Sequence, residues 1–201
     1  MSKVVCDVTV SLDGFVAGPA QSREHPLGIG AEKLHRWQFE AAEENWQERT
    51  AITEAGAFIM GRNMFGPGRG AWDEEWTGWW GSTPPYHAPV FVLTHHERES
   101  IEMDGGTTFH FITGGIHAAL EAAKDAADGH NVAIAGGAAT INQFLNAGLL
   151  QELRLHTAPI LLGSGERLFD GVSGIDFTPV RGRTTDLVTH TVFRVNTSEE
   201  H

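Results

Sequence analysis

Val132-Ala133-Ile134-Ala135-Gly136-Gly137-Ala138-Ala139-Thr140 sets an apolar, strand-like run against a glycine pair, and a helix-forming stretch, 138–147, starts at once. Glycine at a strand-to-helix turn lets backbone N–H groups come close to a ligand, because no Cβ stands in the way. The free N–H groups and the positive dipole end of the helix favour an anion there, most often a phosphate. A glycine pair also serves as a plain tight turn. The anion reading gains weight from a second junction of the same kind, Ala57-Phe58-Ile59-Met60-Gly61-Arg62-Asn63-Met64-Phe65, where an arginine follows the glycine. The planar guanidinium fork suits phosphate oxygens. A third apolar run, Pro89-Val90-Phe91-Val92-Leu93, ends in Thr94-His95-His96 with Arg98 close behind. In open α/β sheets ligands lie beyond the carboxyl ends of the strands. Three such ends fit one cleft that holds an extended, phosphate-bearing cofactor.

Outward from these junctions, 4–10 reads as a first strand rich in β-branched residues. A glycine-punctuated loop follows at 11–19, and 20–30 is irregular. The spacing of Leu34, Trp37, Ala41 and Trp46 predicts one long helix over 31–55 with those residues on its buried face. The segment 66–89 carries Trp72, Trp76, Trp79, Trp80 and Tyr86 among glycines and prolines, and a loop that long is uncommon unless it is functional. Its aromatics pack on one another or at an interface first, and stack on a flat substrate second. Further strands are expected at 90–93, 107–112, 132–135 and 150–159, with helices at 116–127 and 138–147. A terminal antiparallel pair is expected at 177–183 and 187–195, and 198–201 reads as a frayed end. The order is βαβαβαβ with a β-rich end: a mainly parallel sheet flanked by helices, with antiparallel strands at one edge.

With 201 residues, of which 41% are hydrophobic, one domain spanning 1–201 is expected. No apolar run approaches the roughly 20 residues of a membrane helix, and the N-terminal stretch lacks the shape of a secretory signal. A net charge of -12 speaks against general nucleic-acid binding, which needs a basic footprint. It does not speak against a phosphorylated ligand, which local groups decide. The single Cys6 precludes an internal disulfide, fits a reducing cytoplasm, and reads as an inert core residue. Adjacent His95 and His96 point to opposite sides of a strand, so no metal site is expected.

In this order and spacing, SLDGFVAG (11–18), LHRW (34–37), FIMGRNMF (58–65), VFVLTHH (90–96), VAIAGGAATINQFL (132–145) and ELRLHTAPILLGSGERLF (152–169) resemble the dihydrofolate-reductase-like superfamily. Within it the chain is similar to the C-terminal reductase domain of the bifunctional riboflavin-biosynthesis deaminase-reductase (RibD-type), in a stand-alone form. The deaminase half of such enzymes needs a cysteine-containing zinc site, and one cysteine does not supply it. The resemblance implies a dihydrofolate-reductase-like α/β fold, NADPH as cofactor, hydride transfer to a pyrimidine- or pterin-like ring, and a homodimer. It implies that Gly136 and Gly137 face the pyrophosphate, with Ala138 and Thr140 at the helix start. Gly61, Arg62 and Asn63 would lie against the adenosine phosphates. Thr94 and His95 would face the adenosine side and its 2′-phosphate, helped by Arg98. Thr9 and Val10, with Val16 and Ala17, would flank the nicotinamide. Asp13 would sit on the loop over the active site.

Dihydrofolate reductases place a carboxylate on the first helix against the pterin. Near LHRW this chain has Lys33 and His35, with Glu32 one residue off. Asp13, Glu32 and His35 are therefore the candidates for contacting the substrate or supplying a proton, with Asp13 and His35 taken as the catalytic pair. Water is an alternative proton source. Asp13-Gly14 is equally a common turn dipeptide, and His35 equally a satisfied, partly buried side chain. An NADPH-binding module without turnover, serving as a sensor or sequestering protein, is the alternative function. A flavin- or ATP-using enzyme on the same sheet is a third.

Overall fold

A computed structural model describes residues 2–196; the stretch 198–201 read as frayed lies outside the described residues. Nine strands form one sheet: β1 (Val4–Ser11), β3 (Ala57–Gly61), β4 (Pro89–Leu93), β5 (Ile101–Glu102), β6 (Thr108–Ile112), β7 (Val132–Gly136), β8 (Glu152–Ala158), β10 (Asp176–Thr184) and β11 (Thr189–Asn196). Their order is β10-β11-β8-β1-β7-β3-β4-β6-β5. The six from β8 to β6 run parallel, while β11, β10 and β5 are antiparallel at the two edges. This is the mainly parallel α/β sheet with antiparallel C-terminal strands expected from the sequence. A two-stranded ribbon, β2 (Phe15–Ala17) with β9 (Glu166–Arg167), stands apart from it.

Alternation along β1 divides the core. Val4, Cys6 and Val10 point to the face covered by α4 (Gly115–Ala126) and α5 (Ala138–Asn146), where they meet Ile134, Ile141, Phe144 and Leu153. Cys6 is fully buried there, and burial pushes its thiol pKa well up, as an inert core residue requires. Val5 points to the other face, into a cluster with Phe58, Met60, Val90, Val92 and Phe109. Over that cluster lies the aromatic segment. Trp72, Trp76 and Trp80 pack against it, and Phe65, Trp72 and Phe111 meet edge to face at 4.9–5.8 Å. The segment therefore packs against the sheet and on itself.

One expectation fails. The stretch 31–55 is not one helix. It is a 3-10 turn (Ala31–His35), a single helical turn α1 (Arg36–Phe39), and α2 (Trp46–Thr53) after an interruption. Asn45 causes the break: its amide donates to Ala41 O (2.8 Å) and Trp37 O (3.4 Å), and its side chain is drawn under the chain and fully buried. Such side-chain-to-backbone bonds compete with helix continuation. The phase then shifts, so Trp46 is 59% exposed rather than buried. The connection from β4 to β6 is β5 and a 3-10 turn (Asp104–Gly106). The helix starting at Arg62, α3 (Arg62–Phe65), is a single turn. No described helix is long and apolar enough to cross a membrane.

Candidate active site

The sheet opens between β1 and β7. β1 pairs with β8 all the way from Val5 to Ser11, but with β7 only at Val4–Val132 and Val5–Ala133. Beyond those pairs β1 and β7 part, so Asp7–Ser11 and Ile134–Gly136 form two walls of a gap. On the far side of β7 the register slips between Ile59–Ile134 and Met60–Gly136, leaving Ala135 as a bulge. Bulges of this kind bend a strand and re-aim its end, commonly beside active sites. Met60 pairs with Gly136, and Gly61 with Leu93, so the three glycine- or threonine-tipped strand ends lie side by side.

Gly61 must be glycine for packing: a Cβ there would stand 2.5 Å from the buried Thr140 Oγ1. Thr140 thus turns its hydroxyl toward Gly61, joining α5 to the end of β3. Gly137 differs. A Cβ built on it meets nothing within 4 Å, so the start of α5 faces open space, and no side chain caps it. Ala138 is buried behind it.

Arg62 leaves the end of β3 and stacks on Trp72 at 3.8 Å. Its guanidinium donates to Gly70 O (2.6 Å) and Ala71 O (3.3 Å), while its buried Nε has no partner among the described residues. Arg98 lies on the same indole at 5.1 Å. Burial, and then the like charges of Arg69 and Arg98, disfavour the charged form of Arg62. Arg62, Arg69 and Arg98 thus gather three guanidiniums, of which Arg98 is paired with Glu74 at 3.5 Å. Beside them a cavity of about 270 Å³ is lined by Arg23, Arg62, Gly66, Trp72, Asp73 and Trp76. Arg23 pairs with Asp73 and lies 5.0 Å from the Trp76 ring, tying the 20–30 loop to the aromatic segment. Thr94 is buried and turns the chain, accepting from His96 N at 3.1 Å; Asn63, His95 and His96 are exposed. Among the described residues no three His, Cys, Asp or Glu side chains gather to hold a metal.

On the β1 side, Thr9 is buried and receives the Trp37 indole N–H at 3.3 Å. Ala17 is buried and Val16 half-buried on the ribbon that follows β1. Asp13 is an anchor. Its carboxylate accepts from Ser11 Oγ (2.6 Å), Leu162 N (3.1 Å) and Gly163 N (2.7 Å), clamping the 159–163 loop to the end of β1. The Ser11 bond first, with the backbone donors, lowers its pKa to about 2. At neutral pH it is ionised and cannot donate a proton. Because the folded-state value lies below the unfolded one, its clamp holds above about pH 4 and is lost as pH falls toward about 2. Amide exchange at Leu162 and Gly163, normalised to other loop amides, should therefore stay slow at neutral pH and speed up across that acid window. Fast exchange at neutral pH would contradict the clamp. His35 is half-buried, 3.3 Å from Gln38 Nε2, and burial, then the nearby His156, lower its pKa and favour the neutral ring.

Sequence reasoning missed a buried polar group beneath Trp37: Asp7, Arg154, His156, His190 and Asn45. One signal was available. Glu152, Arg154 and His156 repeat with a period of two on a strand that lies inside the sheet, and Asp7 interrupts an apolar run directly opposite them.

This parallel sheet, split beside a glycine-tipped strand, is the architecture of the dihydrofolate-reductase-like proteins. The chain belongs to the RibD C-terminal domain family, whose model matches residues 2–190. Solved structures agree in fold. A Shewanella protein named for riboflavin biosynthesis has TM-score 0.62 at 22% identity, with 97% of this chain and 99% of that one covered. RibD of Acinetobacter baumannii has TM-score 0.60 at 18% identity over 98% of this chain, which spans 59% of that one. Dihydrofolate reductase of Enterococcus faecalis, solved with NADP(H), has TM-score 0.57 at 13% identity, covering 97% of both chains. No curated protein sequence matches significantly.

Proposed function

We propose that the protein is an NADPH-dependent reductase that delivers hydride to a pyrimidine- or pterin-like substrate, either a flat heterocycle or a ribosylamino-pyrimidine phosphate of riboflavin synthesis whose sugar is reduced. The observation that carries this is the gap between β1 and β7 beside an uncapped helix start with open space at Gly137. An anionic dinucleotide fits the residues around it: the backbone N–H groups of Ala138 and its neighbours, the Arg62 Nε with no partner, and the Arg98 guanidinium behind Trp72. When bound, NADPH supplies the hydride from its nicotinamide ring.

The chain's own residues position and exclude. Gly136, Gly137, Ala138 and Thr140 take the pyrophosphate side. Gly61, Arg62 and Asn63, with Thr94 and His95, take the adenosine phosphates. Thr9, Val16 and Ala17 form the wall for the flat ring, and Trp37 fixes Thr9. Asp13 holds the loop over the cleft. His35, neutral, hydrogen-bonds the heterocycle, and water supplies the proton at the acceptor. Exposed Leu12 (64%) and Leu161 (74%), beside the Asp13 loop, support a homodimer. The lone buried Cys6 supports a reducing cytoplasm.

The test is consumption of NADPH with a ribosylamino-pyrimidine phosphate and, in parallel, with dihydrofolate. Turnover of either supports the proposal; turnover of neither, by folded protein that binds NADPH, overturns the reductase assignment. Arg62→Ala and His95→Ala should each weaken NADPH about tenfold and NADH much less, because only the former carries the 2′-phosphate. Equal losses would place the 2′-phosphate elsewhere.

A further inference from the structure

The buried group beneath Trp37 fixes its own proton count. Asn45 Nδ2 donates to two carbonyls, so its Oδ1 faces Arg183 Nη2 (3.4 Å) and His190 Nε2 (2.9 Å). His190 Nε2 therefore carries a proton. His156 Nδ1 and His190 Nδ1 are 2.8 Å apart, which needs one proton between them. That leaves His156 Nε2, 3.4 Å from Asp7 Oδ1, with both atoms buried and neither in a hydrogen bond among the described residues. A bare ring nitrogen there would set a lone pair against a carboxylate in a low-dielectric site. A third ring proton turns the contact into an ion pair.

We infer that the His156–His190 pair is held with three ring protons, hence one positive charge, against the Asp7 carboxylate, and that this buried ion pair, acting through Trp37, positions Thr9 on the cleft wall. Arg154 Nη1 lies 3.3 Å from the other Asp7 oxygen, a pairing made with a carboxylate, so the third proton belongs to the rings. Burial first, then the neighbouring charge at His156, lowers the His190 pKa to about 4, with Glu48 opposing and Arg183 adding to the shift. The remaining charges around the pair are Glu152, bonded to Arg154 at 2.8 Å, and neutral His35 on the 3-10 turn. The Trp37 ring centroid lies 4.9 Å from His156 and 5.0 Å from His190. At that distance an imidazolium attracts the indole, and the indole N–H holds Thr9. The effect on the cleft rests on the cofactor reading above; the proton count does not.

The experiment is 15N NMR of the histidine rings at neutral pH in the intact protein, with His156 assigned by its absence from His156→Gln, together with NADPH titration of Asp7→Asn. In the wild type His156 Nε2 should be protonated. In Asp7→Asn the new amide donates to Nε2, so that nitrogen should become bare, and NADPH affinity should fall about fivefold through the loosened indole. A bare Nε2 in the wild type overturns the proton count whatever NADPH does. A protonated Nε2 with unchanged NADPH affinity in Asp7→Asn overturns the positioning role. Failure of the wild type to bind NADPH refutes the cofactor reading and leaves the NMR result to decide the proton. If Asp7→Asn does not fold, Trp37→Phe, which deletes the donor to Thr9, decides the positioning by the same titration.

Discussion

Gly137→Val should abolish NADPH binding in a protein that still folds. The backbone at Gly137 has a negative φ (φ -74°, ψ -165°), and a Cβ there meets nothing within 4 Å apart from its own chain neighbours. The Cβ of the variant therefore strikes no group outside its own chain neighbours. It plants an isopropyl group in the open space at the start of α5, where a pyrophosphate has to reach the backbone N–H groups. A loss of about a hundredfold or more in affinity is expected by calorimetry, with the thermal midpoint barely moved. The position separates binding from folding in a way Gly61 does not, since a Cβ at Gly61 would strike Thr140. Unchanged affinity in folded Gly137→Val would remove the pyrophosphate from this helix.

Trp37→Ala should be the most destabilising single truncation among the residues that shape the cleft. The side chain is fully buried, packs on both His156 and His190, and bonds Thr9. Removing a buried tryptophan typically costs about 3–5 kcal/mol, from lost burial and the cavity left behind. Here the 31–53 segment would also lose its main purchase on β1 and β8. Denaturant unfolding measures the loss directly. A change below about 1 kcal/mol would mean that the segment is anchored elsewhere.

The parts of the fold that the sequence displayed are those whose physics is local. Apolar runs ending in glycine marked β3 and β7, alternation at 152–158 marked β8, and Ala-rich periodicity marked α4. The single helix expected over 31–55 fails because the buried position belongs to Asn45, whose partners Trp37, Arg183 and His190 are brought to it by tertiary structure. The ribbon of β2 and β9 is too short to show a period. Asp13 illustrates the same limit: its turn was visible, but the loop it clamps lies about 150 positions away in sequence. The histidine pair joins residues 34 apart, and Asp7 reaches His156 only because β1 and β8 are neighbours. Nothing along the chain announces these pairings. They appear once the strand order is known.

The cofactor cleft is tested most directly by calorimetric titration of the intact protein with NADPH and then NADH, with a flavin and ATP as controls. The expected result is saturable NADPH binding, tighter than NADH. Folded protein that binds neither nicotinamide, or that takes a flavin or ATP instead, would contradict it.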